Sequence, residues 1–370
     1  TTLQAQIPAS DLSAAGDANV YVVNPEPGGG QTLPVTFRIT ATNLTPVLTG
    51  ISPGIATSGG GQFQLTVTGR NFAVNSVVRV NGADRPTTFV NSTTLLAQIS
   101  AADIANASAA NITVFTPTPG GGTTSSGVLF IGKAATTVPA TYFAGDTVAP
   151  DSIAAIFGAG LATGTQSATT LPLPTSLLNT TVTIRDMSGR EQQSPLFFVS
   201  PGQINLLIPS NVASGQATII VKSGDNVVGV GTINVSSINP GLFSANSTGL
   251  GTVAGVALRA VGGTNTFEPL YRFEGANLVD VPLDLGPQTN QVFLVIFGSG
   301  LRGVSSTAAV KAKVGGVDVP VTFVGPAPGL AGVDQVNLGP LPRSLAGLGA
   351  VDIVLTVDNR TTNTVRVNIK

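Results

Sequence analysis

The sequence predicts an all-β protein of tandem immunoglobulin-like β-sandwich domains, and three observations carry that prediction. Apolar content is high, at 42%, yet it is drawn from Val, Ile, Leu and Ala, with 16 Phe, 3 Tyr and no Trp in 370 residues. The same chain holds 45 Gly and 25 Pro, so β-branched runs alternate with turn formers, a composition that suits short strands and makes poor helix. Third, residues 1–39 are copied by residues 93–131, in register at an offset of 92 (93 minus 1). A long in-register repeat marks an array of modules.

The second copy shows the elements most clearly. Strand-like runs fall at 47–52, 62–68, 76–80, 87–90, 94–99, 111–115 and 127–131, with turn residues between them. Asn81-Gly82 follows an alternating run and predicts a tight hairpin, because a type I′ turn needs positive φ at both central positions. Seven short strands in so few residues describe an immunoglobulin-type sandwich, each strand burying one face against the opposite sheet. The Ala-rich stretch 100–110 is expected to make one helical turn that crosses between the sheets.

Two elements recur along the chain. A strand ending in a glycine turn is found at 65–72, 153–161 and 293–301; a corner leading from an apolar strand end through Pro, Ser and Ala into a new strand is found at 7–22, 99–114, 208–221 and 338–355. Four corners against three glycine turns predict four units, the first lacking its opening half. Phe198-Val199-Ser200-Pro201 and Gln203-Ile204-Asn205-Leu206 are echoed by Phe323-Val324-Gly325-Pro326 and Gln335-Val336-Asn337-Leu338, which relates the last two units. The expected division is residues 1–45 as the second half of a sandwich, 46–132 as a complete one, 133–236 as a third, 237–286 as a β-rich connecting segment and 287–370 as the last.

The chain carries two family resemblances. Residues 46–131 resemble an IPT/TIG domain through Ile51-Ser52-Pro53, Ser58-Gly59-Gly60-Gly61, Leu65-Thr66-Val67-Thr68-Gly69-Arg70-Asn71-Phe72 and Val80-Asn81-Gly82, with residues 1–40 as a half copy. This implies an immunoglobulin-like fold and no particular activity. Residues from about 140 to 370 are similar to the C-terminal region of large secreted proteins of acidobacteria, through Ala149-Pro150-Asp151-Ser152-Ile153, Val199-Ser200-Pro201-Gly202-Gln203-Ile204-Asn205 and Leu355-Thr356-Val357-Asp358. That resemblance implies secretion and a bacterial surface or matrix context.

Chemistry is scarce. With no His and no Cys, imidazole acid-base catalysis, thiol nucleophiles, the usual zinc sites and disulfides are excluded. Only 9% of residues are charged, 17 basic against 18 acidic, without the basic stripe that nucleic acid or an anionic membrane requires. The longest apolar run, 292–301, contains glycines and reads as a buried strand rather than a membrane span. Asp146 and Asp151 could approach Glu191, but sugar cleavage by paired acids calls for stacking aromatics that the chain lacks. Structural calcium at a junction would draw on Asp146, Asp151, Asp280 and Asp284; no Asp-x-Asp-x-Asp run exists, so turn-forming Asp is the favoured reading and no cofactor is expected. Gly158-Ala159-Gly160 and Gly298-Ser299-Gly300 follow strands but precede no helix pattern, which makes them tight turns rather than phosphate loops. Ser244 and Ser299 have no base to activate them.

Attention therefore falls on residues 1–40. Leu3, Ile7, Val20, Val22, Val35, Phe37 and Ile39 are core candidates with half a sandwich to cover them, and they form the candidate assembly edge. The chain begins with Thr and carries no signal peptide, as a mature or fragmentary chain would. The complementary half is expected as a lost segment, a cleaved but bound one, or strands given by another subunit, the surplus strands of 237–286 being one donor. The sequence-based expectation is a non-enzymatic, secreted bacterial structural protein that self-associates into an extracellular or cell-surface fibre by β-strand addition. An adhesin or polysaccharide-binding part of a larger secreted protein is the alternative.

Overall fold

The computed structural model describes residues 2–12, 14–40 and 42–370. The protein is all-β: tandem immunoglobulin-like sandwiches, with short 3-10 turns and no α-helix among the described residues. The chain divides into two compact units, one of residues 1–54, 59–105 and 109–129, the other of residues 55–58, 106–108 and 130–370.

In the first unit, one sheet carries the strands Thr87–Asn91, Thr94–Ile99, Phe63–Arg70 and Val47–Ser52 in that order. The facing sheet sets Ser108–Thr116 between the strand that begins at Gly127 and Val77–Val80. Alternation decides what is inside: Leu65 and Val67, Leu95, Ala97 and Ile99, and Ile112 and Val114 are fully buried while their neighbours along each strand face outward. Asn81 and Gly82 take φ of 50° and 85° and close a hairpin that pairs Val80 with Ala83, as the Asn-Gly pair predicted. The crossing at 100–110 is shorter than expected. A 3-10 turn occupies only Ala101–Ile104, and the next strand starts already at Ser108.

That turn is held by a lock invisible to periodicity. Ser100 and Asp103 form a capping box, with Ser100 N–H donating to Asp103 Oδ2 at 3.0 Å. Arg85 reaches across the sheet and forks onto the same carboxylate, its Nε donating to Oδ2 at 2.8 Å and its Nη2 to Oδ1. This guanidinium, foremost among the causes, holds the Asp103 carboxyl down to about 2 against the opposing effect of burial.

The second unit contains two sandwiches. In one, the sheet Thr136–Pro139, Ile153–Phe157, Gln203–Leu207, Leu196–Val199, Gln166–Ser167 faces a sheet that includes Thr180–Arg185, Gly215–Ser223 and Asn226–Val235, over a core of Val148, Ile156, Leu161, Ile184, Leu206 and Ile219 among others. Ile55–Thr57, a strand the sequence reading missed, pairs in parallel with Phe130 to Gly132. In the other sandwich, Gly255–Val261 and Thr264–Pro269 extend the sheet of Gln291–Ser299, Asp334–Leu338 and Val321–Pro326. It faces a sheet built on Val310–Val314, Gly349–Val357 and Val365–Ile369. The segment 237–286 thus supplies strands to the last sheet, and its remainder makes the hairpin Tyr271–Glu274 with Asn277–Asp280.

The echo between the two Gln-x-Asn sequences has a physical meaning. Gln203 Nε2 donates to Asn205 Oδ1 at 2.8 Å, and Gln335 Nε2 donates to Asn337 Oδ1 at 2.8 Å, so each pair spans one step on the same face of equivalent strands. Between these sandwiches, Ser299 Oγ accepts from Ile153 N–H at 2.9 Å and donates to the Gly332 carbonyl at 2.7 Å. Asn239 Nδ2 donates to the Thr147 carbonyl at 2.6 Å. Gly332, at φ 72°, passes so close that a Cβ there would lie 2.5 Å from Ile153 Cγ1.

Candidate functional site

Residues 16–39 form a two-stranded antiparallel ribbon in which Gly16–Val20 pairs with Val35–Ile39: Gly16 opposite Ile39, Ala18 opposite Phe37, Val20 opposite Val35. Directly opposed residues share a face, so Ala18, Val20, Val35, Phe37 and Ile39 line one side, while Asp17, Asn19, Thr36 and Arg38 line the other. Arg38 Nε donates to Asp17 Oδ1 at 3.1 Å on that polar side. The ribbon is amphipathic, and its apolar side is open. Val35 is 71% exposed, Val20 48% and Phe37 41%; Ile39 is half-buried. Val22 is exposed as well, its backbone tied to Thr32 on both sides. Leu3 and Ile7 precede the ribbon and are exposed.

The repeat supplies the reference for these exposures. At the offset of 92, Leu3 corresponds to Leu95, Ile7 to Ile99, Leu12 to Ile104, Val20 to Ile112, Val22 to Val114, Phe37 to Leu129 and Ile39 to Ile131. Each of those seven counterparts is at most 2% exposed. The same positions are therefore core in one copy and surface in the other. What covers them in the second copy is residues 47–92: Thr94–Ile99 lies between Phe63–Arg70 and Thr87–Asn91, and Ser108–Thr116 pairs with Val77–Val80.

Loss of those neighbours also changes secondary structure. Thr94-Leu95-Leu96-Ala97-Gln98-Ile99 is a strand, whereas Thr2-Leu3-Gln4-Ala5-Gln6-Ile7, differing only in Gln4 for Leu96, is not. A strand has no hydrogen bonds of its own and needs a ladder partner. The loop Pro25 to Gly30, by contrast, keeps one close contact of its copy, although Gly121 and Gly122 take φ of 70° and 128° and their counterparts Gly29 and Gly30 do not take positive φ. A Cβ on Gly29 would meet the Asn24 carbonyl at 2.0 Å, and one on Gly121 would meet the Thr116 carbonyl at 2.2 Å, the same contact 92 residues on. In the second copy that loop is strapped by Asn43, whose N–H donates to the Pro119 carbonyl at 2.8 Å and whose Nδ2 donates to the Pro117 carbonyl at 2.9 Å.

The polar candidates do not converge. Asp146 accepts from Asn234 Nδ2, Asp280 from Thr252 Oγ1, and Asp284 from the Gly286 N–H. Asp151 sits in a turn at φ 58°. Among the described residues no group of three or more metal-ligating side chains gathers. Both glycine pairs are tight turns: Leu161 N–H donates to the Pro201 carbonyl, and Leu301 N–H to Asp334 Oδ2. Ser244 Oγ accepts from the N–H groups of Thr248 and Gly249 within its own turn.

Sequence reasoning missed two features. Asp334 is fully buried and accepts from Leu301 N–H at 2.7 Å and from Arg302 Nε at 2.7 Å; burial, the largest influence, pushes its carboxyl up against these donors. The second feature is an apolar cleft of about 540 Å³ lined by Ile153, Leu171, Leu173, Phe197, Leu330 and Val333, among others. Neither follows from strand alternation: Asp334 answers to a turn more than thirty residues away within the last sandwich, and the cleft draws its lining from two sandwiches of the second unit.

Residues 46–131 match the IPT/TIG domain family. A search of curated proteins found no match. Solved structures similar to the chain include a Bacteroides ovatus surface protein of a mixed-linkage glucan utilization locus bound to a heptasaccharide, at 13% identity, covering 85% of this chain and 65% of that one, TM-score 0.28. The I9–I11 tandem of titin shares 10% identity over 88% of this chain and 97% of its own, TM-score 0.18. A 1.5-MDa bacterial ice-binding adhesin that is retained at its host cell surface shares 14% identity over 88% of this chain and 96% of the solved one, TM-score 0.18. The chain spans 65% and 58% of the lengths of the first two structures it matches. At these identities the likeness is one of fold. Among the described residues no helix is long and apolar enough to cross a membrane.

Proposed function

We propose that the chain is a non-catalytic, secreted bacterial structural protein: a subunit of an extracellular or cell-surface fibre whose immunoglobulin-like modules are joined by β-strand addition at the open face of residues 2–40. The module boundaries proposed are 1–45, 46–132, 133–236, 237–286 as a connecting segment, and 287–370. One observation carries the reading: seven positions exposed or half-exposed in the first copy are core in the second. An open apolar face flanked by unpaired strand edges promotes association with another polypeptide. The sparse charge, net −1, leaves little repulsion between copies, and the resemblance of residues 140–370 to acidobacterial secreted proteins supports the location.

The test is light scattering with negative-stain microscopy across a concentration series of the whole chain. The expected result is concentration-dependent assembly, weakened at least tenfold by Phe37→Glu. Dispersed monomers at high concentration would remove the fibre reading.

A second reading, a polysaccharide-binding adhesin, is favoured by one feature. Phe273 is 63% exposed on its hairpin and meets Tyr271 edge to face, with ring centroids 6.1 Å apart, a surface on which a sugar ring can stack. Glycan-array binding lost in Phe273→Ala, without self-association, would select this reading.

A further inference from the structure

A second cleft, of about 310 Å³, opens in the second unit beside the apolar one and shares Ile153 and Phe197 with it. Phe143, Phe197 and Phe243 wall it, Asn205 and Ser247 are among its polar groups, and among the described residues no charged side chain lines it. Resting on the polysaccharide-binding reading, and adding a site to the Phe273 hairpin, we infer that this cleft holds one neutral pyranose ring of a glycan. The phenylalanine rings pack against its C–H face, and Asn205 Nδ2 donates to one of its hydroxyls.

Asn205 is set as a donor. Its Oδ1 already accepts from Gln203 Nε2 at 2.8 Å, which leaves Nδ2 without an acceptor among the described residues. A hydrocarbon in the cleft would strip water from that N–H and leave it unpaired, whereas a sugar hydroxyl accepts from it and can donate onward to the Ser247 hydroxyl. An ion would lose its hydration with no opposite charge in the lining to replace it. The last sandwich supplies the comparison. Gln335 and Asn337 repeat the amide pair, and both sandwiches carry a bulge in the neighbouring strand, between Leu196 and Phe198 in one and between Val321 and Phe323 in the other. A bulge re-aims the side chain of its extra residue. That residue is Phe197 beside Asn205 but Thr322 beside Asn337, so the bulge itself does not call for a ring. The walls are also held before a ligand arrives. Ser244 Oγ accepts from Gly249 N–H at 2.8 Å, and Asn363 Nδ2 donates to the carbonyls of Leu242 at 2.9 Å and Gly249 at 2.7 Å. Gly249, at φ 79°, passes so close that a Cβ there would lie 2.6 Å from Tyr142 Cα, which seats this wall against the neighbour of Phe143. Phe143 and Ser247 themselves take φ of 52° and 57°, a conformation unfavourable for a bulky side chain and concentrated at binding sites. A cleft fixed in this way loses little binding free energy to ordering. Its volume stands at the lower end of the roughly 300 to 1,000 Å³ of ligand sites, which suits a single ring.

Calorimetric titration of the whole chain with neutral hexasaccharides of β-glucan, xylan and galactan tests the inference, and binding to at least one of them is expected. Asn205→Ala removes the donor and unpairs Gln203; it should weaken binding about tenfold or more. Asn337→Ala unpairs Gln335 in the same way outside the cleft, and should leave binding within about twofold of the unmodified chain. Phe143→Leu keeps apolar bulk but loses the ring, and should also weaken binding about tenfold. Equal effects of the two asparagine changes, or no effect of Asn205→Ala, overturn the cleft as the site; if that binding is lost in Phe273→Ala, the polysaccharide reading stands on its hairpin alone. A hexasaccharide of galacturonate bound as tightly as the best neutral probe overturns the neutral class. Binding of none of the three neutral probes overturns both the cleft and the polysaccharide reading.

Discussion

Replacing Asp103 with alanine should open the complete IPT/TIG module locally, by an amount that can be worked from its contacts. The side chain is 9% exposed and its partner Arg85 19% exposed, so neither group is fully solvated once the pair is broken. Two losses follow. The capping box at Ser100 goes, at about 1 kcal/mol for a cap residue, and the charge-assisted fork from Arg85 goes, at about 1.5 to 3 kcal/mol when largely shielded from water. Arg85 retains its bonds to the carbonyls of Ala83 and Asp84, which places the sum near the lower end, at about 2 to 3 kcal/mol. Hydrogen exchange in residues 94–99 and 108–116 should then be faster by a factor of about 30 to 150, at about 1.4 kcal/mol per tenfold. Combination with Arg85→Ala should show a coupling of at least about 1 kcal/mol, because the two changes remove one interaction. Exchange within threefold of the unmodified chain, or additivity of the two changes, would refute the view that this pair ties the two halves of the module together.

In the second unit, Gly332→Ala places a Cβ 2.5 Å from Ile153 Cγ1 and 2.8 Å from Leu207 Cδ1 at a positive φ. It should cost at least about 2 kcal/mol and lower the calorimetric Tm of that unit by about 4 to 8 °C. Asp334→Ala leaves the Leu301 N–H and the Arg302 guanidinium without their acceptor; a loss of about 3 kcal/mol, seen as a lower denaturant midpoint, is expected. The two carboxylates respond to pH with opposite signs. Asp103, held at about 2 against an ordinary 3.8, contributes stability that is complete above 3.8 and is lost as pH falls toward 2, so Asp103→Asn should flatten acid unfolding of the first unit. Asp334 binds its proton more tightly folded than unfolded, so its ionisation weakens the fold as pH rises above 3.8, and Asp334→Asn should remove that slope from a calorimetric pH series.

Strand positions were legible where the alternation had both a core and a ladder to answer to. Residues 47–52 and 94–99 are strands with the bounds expected from periodicity alone. The Asn81-Gly82 hairpin was legible because the backbone angles it needs are a property of those two residues. Residues 2–7 show the converse: five of the six residues of a strand are present, and the strand is not, because its hydrogen-bond partners are supplied by residues 63–70 and 87–91 in the other copy. The open face was legible from the repeat, since the offset assigns each residue a known environment. The Arg85–Asp103 lock and the Ser299 bridge were not, as they join residues 18 and 146 positions apart that no short motif connects.

The complete module at residues 46–131 separates two ideas that a repeat sequence usually merges, the period of the sequence and the boundary of a sandwich. The sequence repeats at an offset of 92 residues, and the sandwich of residues 46–131 straddles the start of the second copy at Thr93. A frame that begins with the repeat divides one closed body into two complementary parts, tied here by the pairing of Thr94–Ile99 with Phe63–Arg70 and by the fork of Arg85 on Asp103. Residues 46–92 and 93–131 are such a pair already written in one polypeptide.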